Sequence, residues 1–361
     1  MATQRIGQSD AGAGRSRGRS GENVVSEPGE TSAAAVGQRR LGKTGLSVSL
    51  LGFGASPLGD VFGLTDPGES NRAVHLAIER GINYFDVSPY YGLTLAEERL
   101  GKALAGRRGL VTLSSKCGRY GGDEFDFSAA RITAGVEESL RWLGTDHLDI
   151  LLAHDVEFAP EEQIVEETIP AMRRLVEQGK TRYVGISGYP LGMLGRIAEA
   201  VPIDCILTYC RYNLLTDDLN ERLLAVTERL GVGVINASPL CMGLLSDRAA
   251  PGWHPAPARV QEAARRAAEY CRGRGLSLAR IALRYCLDHP GVASTLVGMA
   301  TCAEVVENLS ALEEPVPAEA LAAIRAILAP VRNYVWPSGQ AENADGWDDG
   351  VSGENAGEGK S

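Results

Sequence analysis

The sequence predicts an α/β protein built as a single (β/α)8 TIM barrel between two disordered tails. Three observations carry that prediction. Short apolar runs of strand length alternate with longer amphipathic stretches, there are eight such runs, and the first strand-to-helix turn lacks the glycines of an open dinucleotide-binding sheet. That turn reads GFGASPLG (52–59), a lone GxG with no third glycine at the required spacing.

The strands follow from β-rich apolar runs bounded by turn residues. They are LLGF (50–53), INYFD (82–86), LVTLSSK (110–116), LDILLAHD (148–155), RYVGIS (182–187), CILTYC (205–210), VGVINA (232–237) and STLVG (294–298). Between them, ESNRAVHLAIERG places Ala73, Ala77 and Ile78 at helical spacing, with Gly81 as the stop. SAARITAGVEESLRWLG starts on Ser128 as N-cap, and EETIPAMRRLVEQGK stops at Gly179. The barrel is expected over residues 38–335. Residues 1–37, rich in Gly, Ser, Ala and Arg, read as a disordered arm, and 336–361 as an acidic disordered tail almost free of aliphatic side chains.

Composition narrows the function. The net charge of −10 disfavours a nucleic-acid or anionic-membrane partner, and no apolar run approaches the ~20 residues of a membrane span. Seven scattered cysteines without a CxxC pair suggest reduced thiols in a cytoplasmic protein. The expected partner is therefore a small molecule.

In such barrels chemistry sits where the strands end. The second strand ends on Asp86, the third on Lys116 and the fourth on His154. A buried carboxylate needs a partner, and Lys116 on the adjacent strand can supply it. Tyr91, five residues past Asp86, can fold back over the mouth, where a lysine cation would lower its pKa and fit it for acid–base work. His154 can orient a substrate oxygen. The chemistry implied is proton transfer at a carbonyl or alcohol oxygen, with hydride left to a cofactor. A metal-dependent hydrolase using Asp86 and His154 would want further ligands, and Lys116 is a poor neighbour for a cation.

The spacing FDVSPYYG…EERLGKAL, then SSK, then LLAHD, resembles the Asp, Tyr, Lys, His tetrad of the aldo-keto reductase family, and the likeness runs from RRLGKTGLSVSLLGFG (39–54) to VVENLSAL (305–312). The segments GFGASPLGDVFG, FDFSAARI, QIVEETIPAM, INASPLCMGLL and PGWHPA further resemble the sugar-oxidising members. What the resemblance implies is a nicotinamide-dependent enzyme, with Tyr91 as acid–base, Asp86 and Lys116 tuning it, and His154 positioning substrate. The expected reaction is oxidation of L-galactose at C1 to its lactone. The alternatives are a broad aldehyde reductase, a dehydrogenase of another aldose such as L-fucose, or a cofactor-binding regulatory subunit.

The resemblance also assigns the cofactor site. It implies Gly54 and Ala55 after the first strand, and Ser187 and Tyr209 at the ends of the fifth and sixth. Ser238, Pro239, Leu240 and Gly243 follow the seventh; Gly298, Met299 and Ala300 follow the eighth; Glu304, Glu307 and Asn308 lie on the helix beyond. Three positions depart from the common pattern: Gly188 where Asn often follows Ser, Tyr209 where Gln usually stands, and Ala237 where a Tyr commonly stacks on the nicotinamide. The stretch 294–310 holds no Lys or Arg, and Glu304 occupies a position where many members carry a phosphate-binding Arg. A carboxylate there would repel a 2′-phosphate and accept a ribose hydroxyl, so NAD is expected over NADP. The Pro-rich loop SDRAAPGWHPAPA is expected to overhang the mouth and present Trp253 or His254 to the sugar.

Overall fold

The structure, a computed structural model, describes residues 36–248, 251–313 and 315–345. The predicted N-terminal arm falls almost wholly outside the described residues. All eight predicted runs become parallel strands, with ends within two residues of expectation: β3 (Leu51–Gly54), β4 (Tyr84–Asp86), β5 (Thr112–Cys117), β6 (Leu148–Ala153), β7 (Thr181–Gly188), β8 (Cys205–Tyr209), β9 (Gly233–Ala237) and β10 (Ser294–Gly298). They pair in sequence order, and β10 closes the barrel on β3 in the register Thr295↔Leu51 to Gly298↔Gly54.

An antiparallel hairpin that the sequence reading did not anticipate precedes the barrel, β1 (Gln38–Arg40) with β2 (Ser47–Ser49). Its loop reaches the end where strands begin: Lys43 N donates to Gly231 O at 3.0 Å, and the Tyr183 hydroxyl donates to Thr44 O. Leu41 and Val48 are buried there with Ile150, Leu152 and Ile235, plugging the barrel floor. The opposite end stays available for chemistry.

Strand side chains alternate between two apolar layers, as the pleat requires. Tyr84, Ile150, Leu152, Leu207 and Leu296 fill the interior, while Phe53, Phe85, Leu113, Leu151 and Ile186 pack under the helices. The helices follow their start and stop signals. In α1 (Pro67–Glu79) the Asp66 side chain caps Glu69 N, and in α2 (Leu95–Leu104) Glu97 and Glu98 occupy the first turn. Ser128 caps α3 (Ala129–Leu143), which stops at Gly144 with φ +61°. The circuit continues with α4 (Ile169–Glu177), α5 (Leu191–Ala200), α6 (Leu224–Leu230), α7 (Ala258–Arg272), α8 (Leu278–Leu287), α9 (Cys302–Ser310) and α10 (Ala318–Leu328).

The C-terminal expectation needs correction. Residues 336–345, read as the start of a disordered tail, fold as a strap over the β6–β8 side of the mouth. Trp336 stacks on Tyr189 with centroids 5.0 Å apart, and Asn343 donates to Glu157 O and Ala159 O. Asp345 accepts from Leu191 N and Gly192 N at the start of α5 and from the buried Arg211. Polar contacts to main chain, not aliphatic burial, hold this segment, which is why composition misjudged it. Residues 346–361 lie outside the described residues.

Candidate active site

The mouth is built from strand ends and the turns that leave them. Asp86 ends β4, and its chain continues through Val87, whose N–H donates to Ser114 O at 3.0 Å, so the departing loop stays pinned to β5. A turn then closes with Tyr91 N donating to Ser88 O and Thr94 N to Pro89 O. At Gly92 the backbone meets that of Gly59: a Cβ would lie 2.1 Å from Gly59 O, and φ is +65°. Only glycine fits there, and that close approach fixes the direction from which Tyr91 returns over the barrel.

The structure brings the four candidate catalytic side chains together. Lys116 Nζ donates to Asp86 Oδ2 at 2.5 Å, to Val87 O at 2.9 Å and to the Tyr91 hydroxyl at 3.3 Å. Asp86 Oδ1 accepts from Ser114 Oγ at 2.6 Å, and Tyr84 adds a further hydroxyl 3.0 Å from Ser114. All of Asp86, Lys116 and His154 are buried. Tyr91 is half-buried, with its ring edge-on to His154 at 5.9 Å.

Electrostatics revise one expectation. Burial pushes the Tyr91 phenol up, the Lys116 ammonium pulls it down and Asp86 pushes it up again, leaving it at about 12 rather than lowered. Desolvation wins because Asp86 already neutralises much of the lysine's field. Lys116 itself loses to burial but gains more from Asp86 and Tyr91, so its pKa is raised and it stays charged. For His154, burial first and then Lys116 and Arg119 drive the pKa well below the ordinary 6.5, so the ring is neutral. Ser88 Oγ accepts from Tyr90 N at 3.2 Å and stands 3.0 Å from His154 Nδ1. With the Ser88 hydroxyl donating to Nδ1, the imidazole carries its proton on Nε2, the nitrogen 3.7 Å from Asp155 Oδ2.

Two further residues stand at the mouth that the sequence reading did not assign. Asp155 Oδ2 lies 3.7 Å from His154 Nε2 and 2.5 Å from Arg119 Nη1, and the guanidinium sits 3.8 Å over the Tyr90 ring. Arg119 follows Lys116 by three residues, and Asp155 follows His154 directly, at the left-handed φ of +53°. That uncommon backbone state aims a carboxylate beside the histidine instead of into the helical layer. The sequence signal was the D of LLAHD, overshadowed by the histidine before it.

The expected cofactor residues line the rest of the mouth, from the end of β7 round to the end of β3, which lies beside Asp86. Gly54 packs against the β10 main chain, where a Cβ would lie 3.0 Å from Val297 O, and Ala55, Met299 and Ala300 are buried. Ser187 Oγ accepts from Asp155 N at 3.4 Å, leaving the hydroxyl proton to donate elsewhere. The Tyr209 hydroxyl donates to Glu157 Oε1 at 3.4 Å. Ser238 adopts φ +56°, Leu240 carries a turn with Leu240 O accepting from Gly243 N and Leu245 N, and Pro239 is buried between them. Gly298 and Glu307 are exposed, and Asn308 is half-buried. A free Ser187 hydroxyl and side-chain-free strand ends at Gly54 and Gly298 fit a planar carboxamide-bearing nucleotide.

Two of the expected contact residues are already engaged within the protein. Glu304 is not free to take a ribose hydroxyl through Oε2, which accepts from Ala300 N at 2.8 Å and Thr301 N at 3.1 Å in a capping box with Thr301. His254 does not face a sugar: its Nε2 meets Cys241 O at 2.9 Å and its Nδ1 accepts from Ala256 N at 3.1 Å. Both ring nitrogens are spent on the main chain. The loop is stapled by His254, packed edge-on against Trp336, and Trp253 is left 59% exposed.

Among the described residues no cluster of His, Cys, Asp and Glu could hold a metal ion, and no helix is long and apolar enough to cross a membrane. Comparison with known proteins agrees with the architecture. The Aldo/keto reductase family model matches residues 50–329. The chain is 45% identical to L-galactose dehydrogenase of Arabidopsis thaliana over 315 residues, 84% of this chain and 98% of that protein. It is 33% identical to D-arabinose 1-dehydrogenase of Saccharomyces cerevisiae over 281 residues, 72% of this chain and 81% of that protein. Among solved structures, an aldo-keto reductase from Bacillus halodurans in its holo form superposes with a TM-score of 0.70 at 30% identity, covering 83% of this chain and 98% of that one.

Proposed function

Since the chain belongs to the aldo/keto reductase family, we propose that it is an NAD-dependent sugar dehydrogenase that oxidises the C1 hydroxyl of L-galactose to the lactone. The observation that carries this reading is the convergence of the Tyr91 hydroxyl, the Lys116 ammonium and the neutral His154 ring beside the Arg119–Asp155 pair. The first three suit proton transfer at one oxygen; the last two offer a donor and an acceptor for neighbouring hydroxyls. Likeness to two sugar 1-dehydrogenases supports the substrate class.

The nicotinamide supplies a hydride acceptor for C1; the chain's own residues do the rest. Tyr91 accepts the anomeric hydroxyl proton. Because burial holds the phenol at about 12, only a small fraction is phenolate at neutral pH, and that fraction rises tenfold per pH unit below the pKa. Oxidation should therefore accelerate with alkalinity. His154 donates Nε2–H to the same sugar oxygen without competing for the proton, since its own pKa lies well below 6.5. Lys116 stays charged and holds the phenolate form accessible, with Asp86 and Val87 O fixing its position. Ser187 and the backbone at Gly54, Ser238 and Met299 would hold the cofactor. A site that bonds particular hydroxyls leaves its own buried groups unpaired when they are missing or inverted, which rejects such sugars by large factors.

The test is a set of initial rates with L-galactose, L-fucose, D-arabinose, D-galactose and a simple aromatic aldehyde, each with NAD and with NADP. L-Galactose with NAD should give the highest kcat/KM, L-fucose (the L-galacto ring without its C6 hydroxyl) an intermediate value, and D-galactose very little. Comparable rates on aromatic aldehydes would support a broad reductase instead.

A further inference from the structure

The N-terminus of α9, which follows the last barrel strand, is where a barrel of this class commonly receives a phosphate, because free amides and the helix dipole converge there. In this protein three of the amides at that end, those of Ala300, Thr301 and Cys302, are already taken by carboxylates. Glu304 Oε2 accepts from Ala300 N and Thr301 N, and Thr301 Oγ1 accepts from Glu304 N at 3.2 Å. Cys302 N, the first amide of the helix proper, donates at 2.8 Å to Glu69 Oε1, a residue 233 positions earlier in the chain.

Glu69 reaches this point because α1 packs beside α9 and Asp66 fixes its first turn by accepting from Glu69 N at 2.6 Å. The second carboxylate oxygen is also occupied: Glu69 Oε2 accepts from Arg72 Nε at 3.1 Å and Nη2 at 2.6 Å, a two-pronged grip on a guanidinium that is otherwise well exposed. Glu69 thus takes up one helix amide and one arginine, the two kinds of group that recognise a phosphate most strongly. It also places a negative charge beside that of Glu304 at the same helix end.

We propose that Glu69 is a cofactor-specificity residue, a carboxylate standing in for the 2′-phosphate of a phosphorylated dinucleotide and thereby excluding it. The inference rests on the nicotinamide-cofactor reading above and adds a residue from a different part of the chain. An incoming 2′-phosphate would have to displace Glu69 from Cys302 N and Arg72, and would meet two carboxylates if it did not. An unphosphorylated ribose carries no such charge and needs neither group. Removing Glu69 frees both the amide and the guanidinium at once, so a single substitution should create phosphate affinity as well as relieve repulsion.

The experiment is calorimetric titration of the full chain, without sugar, with NAD and with NADP. Wild-type protein should bind NAD at least about tenfold more tightly, and Glu69→Ala should narrow that ratio by about tenfold or more through tighter NADP binding. Glu69→Gln keeps the shape and removes the charge, so it should narrow the ratio by a smaller factor; it decides the matter alone if the alanine variant does not fold. A ratio unchanged within about twofold in the folded variants overturns the role of Glu69 and leaves the NAD reading standing. Wild-type protein that binds NADP more tightly overturns the NAD reading itself.

Discussion

Two neighbouring regions of the barrel mouth bury acidic groups to a similar depth and treat them in opposite ways. Around β4–β6, each carboxylate has a cation: Asp86 lies 2.5 Å from Lys116, and Asp155 lies 2.5 Å from Arg119. Two residues past Asp155, on the side of the strap, Glu157 is fully buried among Tyr189, Tyr209 and Ser338, accepting from Tyr189 N at 3.1 Å and Ser338 Oγ at 2.9 Å, while its Oε2 has no hydrogen-bond partner. Burial and the nearby Asp155 push its pKa up to about 8. One side is a charged reaction chamber; the other is a neutral clasp. Burial alone therefore does not mark a catalytic acid. The counter-charge does, because it fixes the carboxylate's direction and compensates part of the cost of burying it.

Removing a counter-charge should have the largest effect. Lys116→Met strands Asp86 in a buried position, which typically costs ~3–5 kcal/mol, and deprives Tyr91 of the cation that lowers its pKa. Denaturant unfolding should report the stability loss. The alkaline rise of kcat should also move to higher pH in whatever folded protein remains, and an unmoved profile would mean the lysine does not tune Tyr91.

Next comes the second charged pair. Arg119→Ala should raise KM for L-galactose by about tenfold or more, as losing a charge-assisted bond does, with a smaller change in the Kd for NAD. If KM for the sugar is unchanged, the pair is structural and both halves of the mouth are scaffolding apart from the tetrad.

The neutral clasp should respond to pH. A carboxyl whose folded pKa is raised contributes stability below its unfolded value near 4.3, and that contribution is lost as pH rises through about 8. Glu157→Gln keeps an acceptor for Tyr189 N and Ser338 Oγ but has no proton to lose. The variant's Tm should fall less than that of wild type between pH 6 and 9; parallel curves would show that Glu157 does not titrate in that range. Smallest is Trp253→Ala, which should leave both KM values near wild type, since the exposed indole packs on His254 and not on the tetrad.

The charged side was largely legible in the sequence, and the clasp was not. Asp86, Lys116 and His154 each end an apolar run, so a polar residue in a β-periodic stretch announces a strand end at the mouth. Tyr91 followed from its place five residues past Asp86 and from the resemblance to the tetrad. Arg119 and Asp155 were harder, because a turn residue's direction depends on a single φ value. The clasp depends on contacts between residues far apart, Ser338 with Glu157 and Asp345 with Arg211, as does the separate pairing of Glu69 with Cys302. No local pattern encodes such pairs, and a segment rich in Gly, Asn and Asp looks solvated unless its main-chain partners are visible. His254 misled for a related reason, since a loop histidine invites a ligand role until both ring nitrogens are seen to be used.

Tyr91 as the proton carrier in the proposed C1 oxidation of L-galactose is tested most directly by kcat for that sugar with NAD in wild type and Tyr91→Phe, alongside calorimetric NAD binding. The phenylalanine variant should lose about 100-fold or more in kcat, with the Kd for NAD changed less than about threefold. A phenylalanine variant that keeps more than a tenth of the wild-type kcat would contradict it.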